Sequence, residues 1–102
     1  TIYASKVPVL EAARTFAGAD VVPGGTLNNL AFVEEDVTFA PEVSRVEQLI
    51  LADAQTSGGL LISLPAGQAE ALLAMLQTQG VRDAAVIGEV TREGKGHITV
   101  EP

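Results

Sequence analysis

The sequence predicts an α/β domain, a mixed β-sheet covered by helices, and its second half carries most of that prediction. Residues 60–64 (LLISL) form an apolar run that ends at a proline, and residues 84–91 form a second apolar run. Residues 68–79 between them place apolar side chains at helical spacing. This strand, helix, strand order predicts a right-handed crossover. A glycine-rich turn at 92–96 predicts a hairpin that returns residues 97–100 as an antiparallel strand.

The first half of the chain is predicted to be mainly helical. Pro8 suits the first position of a helix, where its missing N–H is not needed. Thr26 is predicted to cap a second helix, and Ser44 with Glu47 forms a capping box that starts a third. The predicted elements are helices at 8–17, 27–34 and 44–52 and a short strand at 37–39.

Length and composition define the class of protein. The 102 residues are 47% hydrophobic, which is enough for one domain with a modest core. There is no cysteine, so disulfides, thiolate metal sites and a cysteine nucleophile are excluded. A formal net charge of −7 disfavours nucleic acid as a partner. Since no apolar run approaches the ~20 residues of a membrane span and no signal peptide is recognisable, we expect a cytoplasmic protein without membrane contact.

Two polar turns with paired glycines are the candidate functional segments. Residues 53–59 (DAQTSGG) link the third predicted helix to the predicted strand at 60–64, and their side-chain oxygens can hydrogen-bond or ligate. Residues 23–26 (PGGT) precede a helix, and free N–H groups at such a position favour anions. Paired glycines also allow the backbone to approach a ligand closely. The alternative, which composition alone favours, is that each turn satisfies its own backbone.

Four segments, in order, resemble the selenophosphate synthetases (selenide, water dikinases), members of the aminoimidazole ribonucleotide synthetase-like superfamily. Residues 53–61 (DAQTSGGLL) are similar to the family's D-P-Q-T-S-G-G-L-L signature. The other three are V-P-V-L at 7–10, P-G-G-T-x-x-N at 23–29 and A-x-I-G-E-V at 85–90. The chain departs from the pattern at Ala54, where the family has proline, and at Asn28, where it often has a basic residue.

The resemblance implies a parent enzyme that makes selenophosphate from selenide, ATP and water, releasing AMP and phosphate and using Mg²⁺. Residues 1–102 then correspond to its C-terminal domain, truncated at the N-terminal side. The expected partners are an N-terminal ATP-binding domain of the same protein and, through the parent, a second copy in a homodimer. The fragment alone is expected to bind neither ATP nor Mg²⁺ and to be inactive.

The resemblance also implies a set of site residues, none of them catalytic in its own right. Asp53 is the one candidate for orienting a metal-bound water. The residues expected to face substrate or phosphate are Asp53, Gln55, Thr56, Ser57, Gly58 and Gly59, followed by Gly24, Gly25, Thr26 and Asn29.

Three alternatives stay open at this point. The first is that the loop at 53–59 only holds two domains together. The second is a different ATP-dependent synthetase of the same superfamily, either aminoimidazole ribonucleotide synthetase or a hydrogenase maturation factor. The third is a non-catalytic binding or dimerisation module, which is compatible with a small acidic α/β domain.

Overall fold

A computed structural model describes residues 1–92 and 96–102, and it confirms the α/β class. Short strands at both ends of the chain and near its middle form one sheet, and four helices lie between them along the chain. A 3-10 turn at Ala4–Lys6 follows the first strand. The elements are β1 (Ile2–Tyr3), α1 (Glu11–Gly18), α2 (Gly24–Phe32), β2 (Val37–Phe39), α3 (Arg45–Leu51), α4 (Ala66–Thr78) and β3 (Ile98–Glu101).

The sheet is built around β3, which lies between β1 and β2 and is parallel to both. Val100 pairs with Ile2 on one side and with Phe39 on the other. Gly88 adds an antiparallel bridge to Ile2, supported by the hydrogen bond from the Tyr3 N–H to the Ile87 carbonyl at 2.8 Å. Parallel and antiparallel pairing therefore coexist, as the prediction of a mixed sheet requires.

Three parts of the predicted sheet are wrong: the C-terminal hairpin, the strand at 84–91 and the strand at 60–64, so the predicted right-handed crossover between the last two is not formed in the described part of the chain. The last strand is not the second arm of a hairpin, because both edges of β3 are taken by strands from the first half of the chain. Residues 93–95 of the predicted hairpin turn lie outside the described residues. Residues 84–91 pair only around Gly88 rather than along a full strand.

The apolar run at 60–64 is not a strand in the described structure, although its sequence predicts one. No backbone hydrogen bond among the described residues involves this run. Most of its side chains are open to solvent, with Leu60 91% and Leu61 80% exposed, while Leu64 is partly buried. Apolar patterning reports a preference for burial, whereas a strand also needs a neighbouring backbone edge with which to pair.

The helices begin and end close to the predicted positions, with two corrections. α1 begins at Glu11 rather than at Pro8, because Leu10 is still extended (φ −63°, ψ 132°). α2 begins at Gly24, so Thr26 lies inside the helix and does not cap it. The capping box of α3 is confirmed, with the Glu47 N–H donating to Ser44 Oγ at 3.3 Å and the Ser44 N–H to Glu47 Oε2 at 2.8 Å.

The core is small and lies against the sheet. Its centre is formed by Ala4, Val43 and Val100, each at most 3% exposed. Partly buried side chains of β1, β2 and α3 pack around this centre. Helices α1 and α2 both contact α3, so α3 connects the helical layer to the loop that follows it. In the described part of the chain, every helix is too short or too polar to cross a bilayer.

Candidate functional site

The two polar turns predicted from the sequence meet through Thr26. Its hydroxyl donates a hydrogen bond to Asp53 Oδ1 at 3.1 Å and accepts one from the Ala54 N–H at 3.2 Å. The side chain is 0% exposed, so this hydroxyl is buried with both a donor and an acceptor partner. We call the pairing of Thr26 with Asp53 and Ala54 the Thr26 clasp.

Two further contacts fix the same junction. The Asn29 side-chain amide donates to the Ala52 carbonyl at 3.1 Å. Gly25 lies against Ala54, and a Cβ built on Gly25 would be only 2.8 Å from the Cβ of Ala54. One face of α2 therefore holds residues 52–54 at three successive positions, and the absence of a side chain at Gly25 allows that approach.

Local sequence explains why residues 52–54 present themselves to α2. α3 ends at Leu51, and the Ala52 N–H still bonds to the Gln48 carbonyl at 3.1 Å. The Asp53 N–H then donates to the Ile50 carbonyl at 3.2 Å. These bonds satisfy the carbonyls of Gln48 and Ile50 and hold Ala52 and Asp53 at the helix end, where the Asp53 side chain meets Thr26.

The rest of the loop, from Gln55 to Gly59, is exposed to solvent. The Gln55 side chain folds back over Gly58, since a Cβ on Gly58 would lie 2.6 Å from Gln55 Oε1. Among the described residues no hydrogen bond is formed by the side chains of Thr56 and Ser57. These groups are therefore available to a ligand or to another part of a larger protein.

The structure thus brings together four of the ten predicted site residues: Gly25, Thr26, Asn29 and Asp53. The other six are Gly24, which has open space around it, and the exposed segment Gln55, Thr56, Ser57, Gly58 and Gly59. Sequence reasoning missed the part played by the Ala52 carbonyl and the Ala54 N–H. The available signal was the pair of glycines at 24–25, because the absence of a side chain at Gly25 is what lets Ala54 approach α2.

A cavity of about 330 Å³ lies beside the clasp, and no feature of the sequence indicated it. Its walls come from β1, β2, β3, α2 and the end of α3, and they are mainly apolar. Asn29 and Asp53 are its two polar side chains. Asp53 therefore borders both the buried Thr26 hydroxyl and an open apolar space.

The potential metal-ligating side chains of the described residues do not cluster into a metal site. No group of three or more His, Cys, Asp or Glu side chains is close enough to hold a metal ion in the parts of the chain that the structure describes. Among the described carboxyl groups, that of Glu47 has a clearly shifted pKa. The pKa lies below its usual value because the Ser44 hydroxyl and the Ser44 backbone N–H both donate to this carboxylate. That shift belongs to the α3 cap rather than to the clasp.

A family comparison assigns the fold. Residues 11–101 match the family described as AIR synthase related protein, C-terminal domain. The chain belongs to this family. The matched range contains α1 through β3, and therefore both turns of the clasp.

Similar proteins carry one recurring name. Over 100 residues the chain is 46% identical to a selenide, water dikinase of Carboxydothermus hydrogenoformans, which covers 98% of this chain and 29% of the relative. A selenide, water dikinase of Myxococcus xanthus is also 46% identical, over 98% of this chain and 28% of the relative. That of Aliarcobacter butzleri is 43% identical, over 82% and 24%. The chain spans less than a third of the length of these curated relatives. No solved structure matches it.

Proposed function

We propose that this AIR synthase related domain is the C-terminal domain of a selenide, water dikinase. Relatives of that name match it along 98% of its length. The parent enzyme would convert selenide, ATP and water into selenophosphate, AMP and phosphate. An N-terminal ATP-binding domain of the same polypeptide, a homodimeric parent and a cytoplasmic location are parts of this proposal.

Within that enzyme, the loop at 53–59 would complete the active-site cleft. The observation that carries this step is the Thr26 clasp, which anchors the start of the loop while leaving residues 55–59 exposed. A loop whose first residues are held in place and whose remaining residues are exposed suits a segment that meets substrate. The position of the loop is then fixed, while its polar groups stay free to bind. The backbone N–H groups of Gly58 and Gly59 have no partner among the described residues and could donate to an oxygen of phosphate or of selenophosphate.

The described residues do not form a Mg²⁺ site of their own. Asp53 is the only acidic side chain at the clasp, and the described residues contain no three-ligand group. The net charge of −7 also opposes binding of a nucleotide by this domain alone. Mg²⁺ and ATP would therefore be held mainly by the other domain, and Asp53 would contribute a hydrogen-bond acceptor at the edge of the cleft.

The test is selenide-dependent ATP turnover by the full-length enzyme with Asp53→Ala. We expect turnover to fall by about tenfold or more, since a hydrogen bond to a charged group is lost. Asp83→Ala removes the same charge from an exposed turn and serves as the matched control. Unchanged turnover in Asp53→Ala, with only a lower melting temperature, would show that the loop joins domains and does not meet substrate.

A further inference from the structure

Thr26 differs from the other predicted site residues because it has no contact with solvent. At 0% exposure it is the most completely buried side chain among the described residues. Its hydroxyl is paired in both directions, with the Ala54 N–H donating to it and Asp53 Oδ1 accepting from it. A residue in this position cannot easily contact the substrate itself, but it can determine the orientation in which Asp53 contacts the substrate.

The geometry restricts Asp53 on both sides. The Asn29 bond to the Ala52 carbonyl holds the backbone before it, and the Ala54 N–H bond to Thr26 holds the backbone after it. With those two points fixed, the bond from the Thr26 hydroxyl to Oδ1 selects the orientation of the carboxylate. The second oxygen, Oδ2, forms no hydrogen bond with the described residues, while the side chain borders the cavity beside the clasp.

We propose that Thr26 is a positioning residue for the reaction, whose hydroxyl orients Asp53 so that Oδ2 stays available to accept a hydrogen bond from a protonated group of the substrate or from an attacking water. This inference rests on the proposed function, because it gives Asp53 a role in the cleft. It adds a residue of α2 that never touches the substrate and acts only through Asp53.

Two substitutions separate the hydroxyl of Thr26 from its packing. Thr26→Val keeps the shape and removes the hydroxyl, whereas Thr26→Ser keeps the hydroxyl and removes a methyl group. Both should lower the melting temperature of the full-length enzyme, because one leaves buried partners unpaired and the other leaves a small void. Only Thr26→Val should lower kcat, on the order of ten- to a hundred-fold, the effect of losing a hydrogen bond to a charged group. The KM for ATP should stay within about threefold of the parent value in both variants. A threefold change in KM corresponds to less free energy than the loss of one typical contact with the substrate.

A double-mutant cycle with Asp53→Asn tests whether Thr26 acts through Asp53. We expect Thr26→Val to lower kcat much less in the Asp53→Asn background than in the parent. Equal losses in both backgrounds, or equal kcat for Thr26→Val and Thr26→Ser, would overturn the positioning role while leaving the proposed function intact. Full turnover by Asp53→Asn itself would instead remove the assignment of Asp53 to the cleft, and the role of Thr26 with it.

Discussion

Replacing Gly25 by alanine tests the close approach between α2 and the end of α3. A Cβ at this position would lie 2.8 Å from the Cβ of Ala54, whereas carbon atoms pack best at about 3.5–4.0 Å. At the neighbouring Gly24, a Cβ would meet no atom from outside the local helix backbone within 4 Å, so Gly24→Ala is a matched control in the same helix turn.

The expected size of the effect follows from two opposing contributions. Glycine to alanine in a helix stabilises by up to about 1 kcal/mol. Forcing an extra carbon into a filled contact costs about 1–3 kcal/mol. Gly25→Ala should therefore lower the free energy of unfolding by up to about 3 kcal/mol and be about 1–3 kcal/mol less stable than Gly24→Ala, and each kcal/mol lowers the melting temperature of a chain of this size by about 4–8 °C. Gly24→Ala should be neutral or stabilising by up to about 1 kcal/mol.

Urea unfolding followed by circular dichroism measures both variants, and Ala54→Gly supplies the decisive background. Removing the Ala54 Cβ removes the atom with which the new methyl group collides, so Gly25→Ala should become neutral or stabilising there. If Gly25→Ala is as stable as Gly24→Ala in the parent, or equally harmful in the Ala54→Gly background, the contact described between α2 and the loop is incorrect.

Three other predictions concern the sheet and the α3 cap. Gly88→Ala should destabilise by about 1–3 kcal/mol in thermal unfolding, because its Cβ would collide with the backbone of Thr1 and Ile2, and a neutral result would contradict the bridge. Tyr3 is the only tyrosine, and its pKa is raised because its hydroxyl donates to Glu89 at 2.9 Å. Absorbance titration should give a lower pKa in Glu89→Gln, and an unchanged midpoint would refute that contact. Ser44→Ala should cost about 1 kcal/mol at neutral pH. The pKa of Glu47 is lowered in the folded state, so this cost should be fully present at pH values above the usual glutamate pKa near ~4.3 and should shrink as the pH falls below it. A cost that does not depend on pH would argue against the capping box.

Residues close together in the sequence were sufficient to predict several helices and their ends. The capping box of α3 depends on two residues three positions apart, and it forms as predicted. α4 occupies Ala66–Thr78, close to the predicted 68–79, and Gly80 follows it with a positive φ of 92°. In each case the residues that decide the structure lie within one or two helical turns of one another.

Pairing between distant segments could not be predicted in the same way. The position of β3 between β1 and β2 depends on edges supplied by residues about 60 and 100 positions away, and a turn-like segment at 92–96 favoured the wrong neighbour. The run at 60–64 has the composition of a strand but no described edge beside it. Likewise, the sequence predicted the turns that contain Thr26 and Asp53 as two separate segments. Only the fold shows that the Thr26 hydroxyl donates a hydrogen bond to Asp53.

A ³¹P NMR measurement of the products that the full-length enzyme forms from ATP, Mg²⁺ and selenide tests the proposed activity itself. We expect a selenophosphate resonance to grow together with AMP and phosphate, and no such resonance to grow when selenide is omitted. ATP consumption without any phosphorus–selenium product, or no consumption at all by a folded protein, would contradict the proposal that this domain serves a selenide, water dikinase.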